Sequence, residues 1–126
     1  MKIFIIALLI VVMVISCATT FVWILHSITT ELMGYSQQIN EAIIAEDSDA
    51  AGRLLNEMEE AWKRKKVFVT TMVDHATLTA LETTIAKLHS NIDYKELARA
   101  AENNARLQKQ LESIVDNEYL RIENVL

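Results

Sequence analysis

The sequence contains no proline and only two glycines among its 126 residues. Because proline and glycine are the residues that most often end or kink a helix, almost nothing along this chain interrupts one. Strand signals are missing as well, since no alternating run of β-branched residues is closed by turn residues. These absences predict an all-α protein.

Residues that carry chemistry are also scarce. The single cysteine, Cys17, cannot form a disulfide within the chain, and the three histidines have no metal-ligand spacing. The sequence has no nucleophile–base pair at a telling spacing, no glycine-rich phosphate loop and no zinc-protease motif. We therefore expect no enzyme activity, no cofactor and no metal. The net charge of −5, without a basic stripe, argues against nucleic acid as a partner.

The longest apolar run covers residues 3–25 and contains no charge, glycine or proline. As a helix it would be roughly 34 Å long, which is enough to cross a hydrocarbon core of about 30 Å. All 17 acidic residues, and every basic residue except Lys2, lie after this run. The sequence therefore predicts a membrane anchor over residues 1–26 and a helical bundle over residues 27–126.

Two alternatives compete with an uncleaved anchor at this end of the chain. A cleaved signal peptide has an apolar core of about 7–15 residues followed by a small-residue cleavage site, whereas this run continues to Leu25. A lipoprotein is the stronger alternative, because residues 14–17 (VISC) resemble a lipobox in which Cys17 would be lipidated. The residues after Cys17 stay apolar, whereas a mature lipoprotein usually begins with a polar tether. We prefer the anchor and leave lipidation of Cys17 open.

The distribution of charge predicts the orientation. Lys2 and the amino terminus precede the apolar run, and no basic residue follows it until Arg53. By the positive-inside rule, the N-terminus would lie in the cytoplasm and the bundle outside the cytoplasmic membrane. We therefore expect a single-pass protein of the cytoplasmic membrane.

Beyond the apolar run, helical periodicity predicts an antiparallel bundle of about four helices. The first helix continues from the membrane segment without a break to about Glu46. Acidic and hydroxyl residues at 46–49 then supply N-cap candidates for a second helix, which contains Trp62.

The third and fourth helices have clearer boundaries. Asp74 and His75 mark the start of the third, and an apolar seam recurs at spacings of three and four through residues 78–92. Asp93 and Glu96 have the spacing of a capping box, which predicts that the fourth helix starts at Asp93.

Several residues are candidates for structural or interaction roles. Trp62 is expected to anchor the core. The basic run consists of Lys63, Arg64, Lys65 and Lys66. It follows three glutamates closely enough for pairs along the helix, which favours a self-paired, solvated face. The alternative is a patch that binds lipid phosphates or an acidic partner surface.

Asp74 and His75 also allow two interpretations. The simpler one is a helix N-cap followed by a histidine that is hydrogen-bonded at the helix start or in the core. The alternative is a polar site that senses pH or binds a small ligand. Adjacent helical residues point about 100° apart, so these two side chains do not form a simple dyad with each other.

In order along the chain, these features resemble the small bacterial membrane family catalogued as domain of unknown function 4363. The marks that carry the resemblance are Glu59, Trp62, Asp74, His75, Glu82, Leu88 and the closing residues 118–126. The family usually has a second aromatic residue shortly after the tryptophan, and here Phe68 is the nearest one. Membership implies a clostridial or related Gram-positive source, no assigned activity, and a partner in the membrane.

The leading functional hypothesis is a non-enzymatic scaffold or accessory subunit anchored in the membrane. It would bind another membrane protein, or a second copy of itself, through the membrane helix or a face of the bundle. The alternative is a ligand-sensing bundle, similar in outline to the four-helix sensor domains of chemoreceptors. Because the chain lacks a second membrane helix and a cytoplasmic output, such a sensor would have to signal through a partner.

Overall fold

The computed structural model describes the backbone of residues 1–125 and the side chains of residues 1–117. Within this part the chain forms four helices joined by short turns and no strand. The helices are α1 (Lys2–Ile44), α2 (Ser48–Thr70), α3 (His75–Asp93) and α4 (Leu97–Val125). Helix α1 packs on α2 and α4, and α3 packs on α4 and α2, so that the four helices close into a bundle. The prediction of an all-α bundle of about four helices is confirmed.

Helix α1 is a single helix of 43 residues that has two different surroundings along its length. Its N-terminal part is long and apolar enough to cross a membrane, with a mean hydropathy of 2.8, and none of this part is buried in the protein. Packing begins at Val22, which is 8% exposed, and is complete at Leu25, which is 1% exposed. One uninterrupted helix therefore carries both a bare apolar segment and one wall of the bundle.

Packing begins at Val22, five residues before the predicted first residue of the bundle, Ser27. Residues 3–21, which we call the apolar segment, include no buried residue; Ala18 is of intermediate exposure, and Phe21 stacks on Phe68 at the edge of the bundle. The division into two domains stays a prediction, but the packing puts the first bundle residue at Val22.

The core forms where the apolar stripes of the four helices meet. Every apolar residue of the predicted seam in α3 is buried, and Trp62 of α2 is 5% exposed, as expected for a core anchor. The largest fully buried apolar side chains are Leu25, Ile39, Leu55, Met58, Val69, Leu81, Leu88, Leu107 and Leu111. Burying a side chain of this size contributes about 1.5–3 kcal/mol to stability.

The predicted N-caps of α2 and α3 are confirmed. Asp47 Oδ1 accepts the backbone N–H of Ala50 at 3.0 Å. Asp74 Oδ2 accepts the backbone N–H of Thr77 at 3.3 Å, and its other oxygen accepts the Thr77 hydroxyl. Each aspartate thus satisfies a backbone donor that the first helical turn leaves unpaired.

The predicted start of α4 at Asp93 is wrong, because Asp93 is the last residue of α3. Lys95 adopts a left-handed conformation with φ of 57°, and the Glu96 N–H donates to the Asn91 carbonyl at 2.7 Å. This six-to-one bond is the Schellman motif that closes a helix C-terminus. Because α3 needs its last turn for that motif, α4 begins only at Leu97.

A buried polar pair connects α1 to α4 in the middle of the bundle. The Ser36 hydroxyl donates to Asn104 Oδ1 at 2.7 Å, and Asn104 Nδ2 donates to the Ser36 carbonyl at 2.9 Å. Both residues are at most 1% exposed. Since each polar group would be left unsatisfied by a shift of one residue, this pair fixes the register of α4 on α1.

Asn104→Ala should therefore destabilise the bundle more than substitution of its neighbour does. We expect the free energy of unfolding to fall by about 1–3 kcal/mol, because the Ser36 hydroxyl and carbonyl lose their partners inside the core. The measurement is chemical denaturation of the full chain in detergent micelles. The control is Asn103→Ala, since Asn103 is half-buried and makes no side-chain hydrogen bond among the described residues. An equal fall in the free energy of unfolding for the two variants would contradict the stabilising role of the Ser36–Asn104 pair.

Candidate functional site

A polar cleft lies on the surface between α2 and α3, which pack together less extensively than the other three main helix pairs do. Its volume is about 240 Å³, and it is lined by Glu59, Trp62, Lys63, Lys66, Glu82, Ile85 and Ala86. The lining residues of each helix are spaced three and four apart, which places them on one helix face. We call this feature the α2–α3 cleft.

Glu82 is at the centre of the polar contacts in the α2–α3 cleft. Lys66 Nζ lies 2.6 Å from Glu82 Oε1, and the indole Nε1–H of Trp62 donates to the same oxygen at 3.3 Å. The hydrogen bond from Lys66 lowers the pKa of Glu82. Burial opposes this shift, whereas the Trp62 hydrogen bond and the charges of Lys66 and His75 support it. Glu82 therefore remains ionised below its ordinary range, and its charge connects α3 to α2.

A second cross-helix pair lies farther along the same two helices. His89 Nε2 is 3.1 Å from Glu59 Oε1, and both side chains are less than one-third exposed. Because α2 and α3 run antiparallel, Glu59 faces His89 at one end of the strip while Lys66 faces Glu82 at the other. Trp62 lies between the two pairs.

Only part of the predicted site residues meet in this cleft. Trp62, Lys63, Lys66 and Glu82 come together, and Glu59, marked in the sequence only through the family resemblance, belongs with them. The sequence reasoning missed the contact of His89. One signal in the sequence could have indicated this contact. Residues 59, 62 and 66 of α2 and residues 82, 85 and 89 of α3 are each spaced three and four apart, so in antiparallel helices residue 59 can face residue 89 while residue 66 faces residue 82.

The other candidate residues lie elsewhere. Asp74 and His75 are exposed at the start of α3, where Asp74 caps the helix. His75 acts on the cleft only through its charge on Glu82. Cys17 is exposed on the apolar segment.

The basic run was expected to form a self-paired, solvated face; the solvated part agrees with the structure, but no salt bridge along α2 is seen among the described side chains. Lys66 pairs across the cleft with Glu82, and Glu59 pairs with His89 rather than with a lysine of its own helix. Among residues with described side chains, Lys63, Arg64 and Lys65 are exposed and form no salt bridge. The reason is geometric: Glu59 and Lys66 face α3, so that their nearest opposite charges lie across the cleft and not along the helix.

The α2–α3 cleft can act as an electrostatic latch between two helices. Its two carboxylates, Lys66 and the Trp62 indole already have partners across the two helices, so that a ligand would have to break these contacts to bind these groups. Within the described part of the chain, no three histidine, cysteine or acidic side chains are grouped so as to hold a metal ion.

A larger groove, of about 560 Å³, runs between α1 and α4 near the apolar segment. We call it the α1–α4 groove. Its lining residues are His26, Thr29, Thr30, Met33, Gly34, Gln37, Leu111, Glu112, Val115 and Asp116. A side chain at Gly34 would meet no atom within 4 Å, so this stretch of α1 is open to a neighbour. The groove mixes apolar surface with a histidine and two acidic residues.

Together these features define a four-helix bundle whose first helix extends beyond it as a bare apolar segment, with an internally paired cleft and one open groove. The chain belongs to the family described as Domain of unknown function (DUF4363), which matches residues 20–125. This match begins two residues before Val22, where packing starts, so it covers the bundle and leaves out nearly all of the apolar segment. No curated protein and no solved structure matches the chain.

Glu82→Gln should weaken the dependence of stability on pH. The pKa of Glu82 is lowered in the folded protein, so its contribution is fully present above the ordinary value of 4.5 and is lost as the pH falls through the lowered pKa. At pH 7 we expect a loss of at most about 1 kcal/mol, because both partners are partly exposed. The difference from the parent should vanish in acid.

Thermal unfolding followed by circular dichroism from about pH 3 to about pH 7, a range that spans the ordinary titration of carboxylates, measures this effect. Glu60→Gln is the control, since Glu60 lies on the neighbouring helix α2, is exposed and forms no salt bridge with any described side chain. An identical pH profile for the two variants would show that the latch contributes nothing.

Proposed function

We propose that the protein is a non-enzymatic helical bundle anchored in the cytoplasmic membrane, where it acts as a scaffold or accessory subunit for a partner membrane protein. The observation that carries the proposal is the continuity of α1 from the bare apolar segment to the wall of the bundle. This helix would transmit contact in the membrane directly to the α1–α4 groove.

The exposed surface of the apolar segment supports the anchor. Its side chains between Ile3 and Ile15 are mostly more than half exposed, and no helix of the bundle covers them. Soluble proteins rarely expose a contiguous apolar surface of this kind, whereas a bilayer would bury all of it. At about 1.5 Å per residue, residues 3–21 would extend roughly 28 Å, close to the thickness of a hydrocarbon core.

The positive-inside rule supports the orientation. Lys2 is the only basic residue near the segment on its N-terminal side, and the part of α1 that follows the segment carries no lysine or arginine. This distribution favours a cytoplasmic N-terminus and an extracytoplasmic bundle.

The position of the α1–α4 groove supports a protein partner. On α1 the lining residues His26, Thr30 and Gln37 share a helix face that continues through Trp23 to Thr19. Trp23 is 70% exposed. A partner helix that packs on this face inside the bilayer would enter the groove as it leaves the membrane.

Photo-crosslinking in native membranes tests the partner. A photoreactive residue at Thr30, in the α1–α4 groove, should give a discrete adduct with another membrane protein or with a second copy. The same residue at Thr83 should give none, since Thr83 is exposed on α3 and does not line the groove. Equal adducts from both sites, or none from Thr30, would contradict binding through the groove.

Intact mass spectrometry of the membrane-extracted protein separates a helical anchor from a lipoprotein. A helical anchor predicts the whole chain of 14.3 kDa. A lipoprotein would lose the residues before Cys17 and gain acyl groups. Cys17→Ser should leave the protein in the membrane fraction if the helix is the anchor, and release it or block its processing if the lipid is.

A further inference from the structure

The turn between α2 and α3 lies beside the end of the apolar segment. The rings of Phe21 and Phe68 stack with their centroids 5.8 Å apart and their planes 26° apart. Phe21 is the last residue of the apolar segment, and Val22 is the first buried one. The end of α2 is therefore level with the point at which α1 passes from bare surface into the bundle.

Exposed apolar side chains surround this contact. Val67 is 79% exposed, although it lies next to Phe68 in the last turns of α2. On α1, Phe21 is 45% exposed and Trp23 is 70% exposed. With the apolar segment in a bilayer, as proposed above, all three would lie near the edge of the hydrocarbon, where aromatic residues are enriched.

The basic run lies just above this apolar tip. Lys63 and Arg64 precede Val67 by four and three residues, so they share its outward side of α2. They are about 5–6 Å farther from the apolar segment along the helix. A headgroup layer is about 5–7 Å deep on each side of the hydrocarbon core, so this offset brings both cations to the depth of the lipid phosphates.

The cations of the basic run other than Lys66 have no oppositely charged partner among the described side chains. Lys63, Arg64 and Lys65 form no salt bridge with any described side chain, although the chain as a whole is acidic. Three consecutive exposed cations in a chain of net charge −5 form a local positive patch that would be attracted to an anionic surface. Each basic residue near an anionic membrane surface contributes about 1 kcal/mol of attraction.

We propose that the α2–α3 end of the bundle binds the surface of the membrane that holds α1, with Val67 at the edge of the hydrocarbon and Lys63 and Arg64 on anionic lipid phosphates. This inference rests on the proposed membrane anchor. Lipid fits better than an acidic protein surface because the exposed apolar side chains of Phe21, Trp23 and Val67 lie nearer the apolar segment than Lys63 and Arg64 do. The contact would fix how the bundle, and with it the α1–α4 groove, is oriented on the membrane.

The test uses the full chain with Cys17→Ser, reconstituted into vesicles of phosphatidylcholine alone or with phosphatidylglycerol. Val67→Cys carries an environment-sensitive fluorophore, and quenching by spin-labelled lipids reports its depth. The matched position is Ile44→Cys, because Ile44 is also apolar, is 73% exposed, and ends α1 at the opposite end of the bundle. Flotation of the vesicles shows separately whether the chain is anchored.

In vesicles with phosphatidylglycerol, we expect at least about twofold stronger quenching at position 67 than at position 44, since only the former reaches the bilayer edge. Replacing Lys63, Arg64 and Lys65 by glutamine should remove most of this difference. The same neutralisation at Lys87, Arg106 and Lys109, three exposed cations of α3 and α4, should not. In vesicles of phosphatidylcholine alone, the difference in quenching between positions 67 and 44 should be as small as it is for the chain with the three cations replaced by glutamine.

Equal quenching at positions 67 and 44, or equal effects of the two triple substitutions, would overturn the inference. If the chain floats with the vesicles but position 67 is not quenched, the anchor stands and the lipid contact fails. If the chain does not float, the proposed anchor itself fails. A cluster that serves an acidic protein partner would give no quenching in these protein-free bilayers and would overturn the inference as well.

Discussion

The structure depends on the continuity of α1, a single unbroken helix that is an uncovered apolar segment in its first half and a packed wall of the bundle in its second. A helix satisfies its backbone hydrogen bonds internally, so the same backbone geometry suits an apolar medium and a packed core. Only the side chains change, from a bare apolar surface before Val22 to a single buried stripe after it. Without proline, nothing in the sequence breaks the helix between the two. The position of the bundle is thus fixed relative to the apolar segment.

The other helices are arranged around this first one by a few specific contacts. The Ser36–Asn104 pair sets the register of α4 on α1, and the Phe21–Phe68 stack sets where α2 ends beside it. The pairs across the α2–α3 cleft then add charged contacts to the least extensive of the four main helix contacts. As a result, the α2–α3 turn and the α1–α4 groove both lie at the end of the bundle that adjoins the apolar segment.

Helix number, the course of α1 and the apolar seam of α3 could be predicted because each depends on periodicity within one segment. The start of α4 could not: the capping-box spacing at Asp93 competes with the Schellman closure of α3, and only the packing of Ile92 into the core decides between them. The α2–α3 cleft was predictable only in part. Trp62 and Glu82 were among the marks of the family resemblance, whereas the contacts of Glu82 with Trp62 and Lys66 depend on how two antiparallel helices align, which no single segment encodes.

Cysteine accessibility along α1 tests the central claim most directly. Single cysteines would be placed at positions 2, 8, 12, 27, 31 and 38 of a Cys17→Ser chain and treated, in intact cells, with a maleimide that cannot cross the membrane. We predict labelling at positions 27, 31 and 38, which are exposed outside the α1–α4 groove, protection at 8 and 12, and labelling at 2 only after the cells are opened. Labelling of positions 8 and 12 in intact cells, or loss of the first residues from the mature protein, would contradict a membrane-spanning α1 that continues into the bundle.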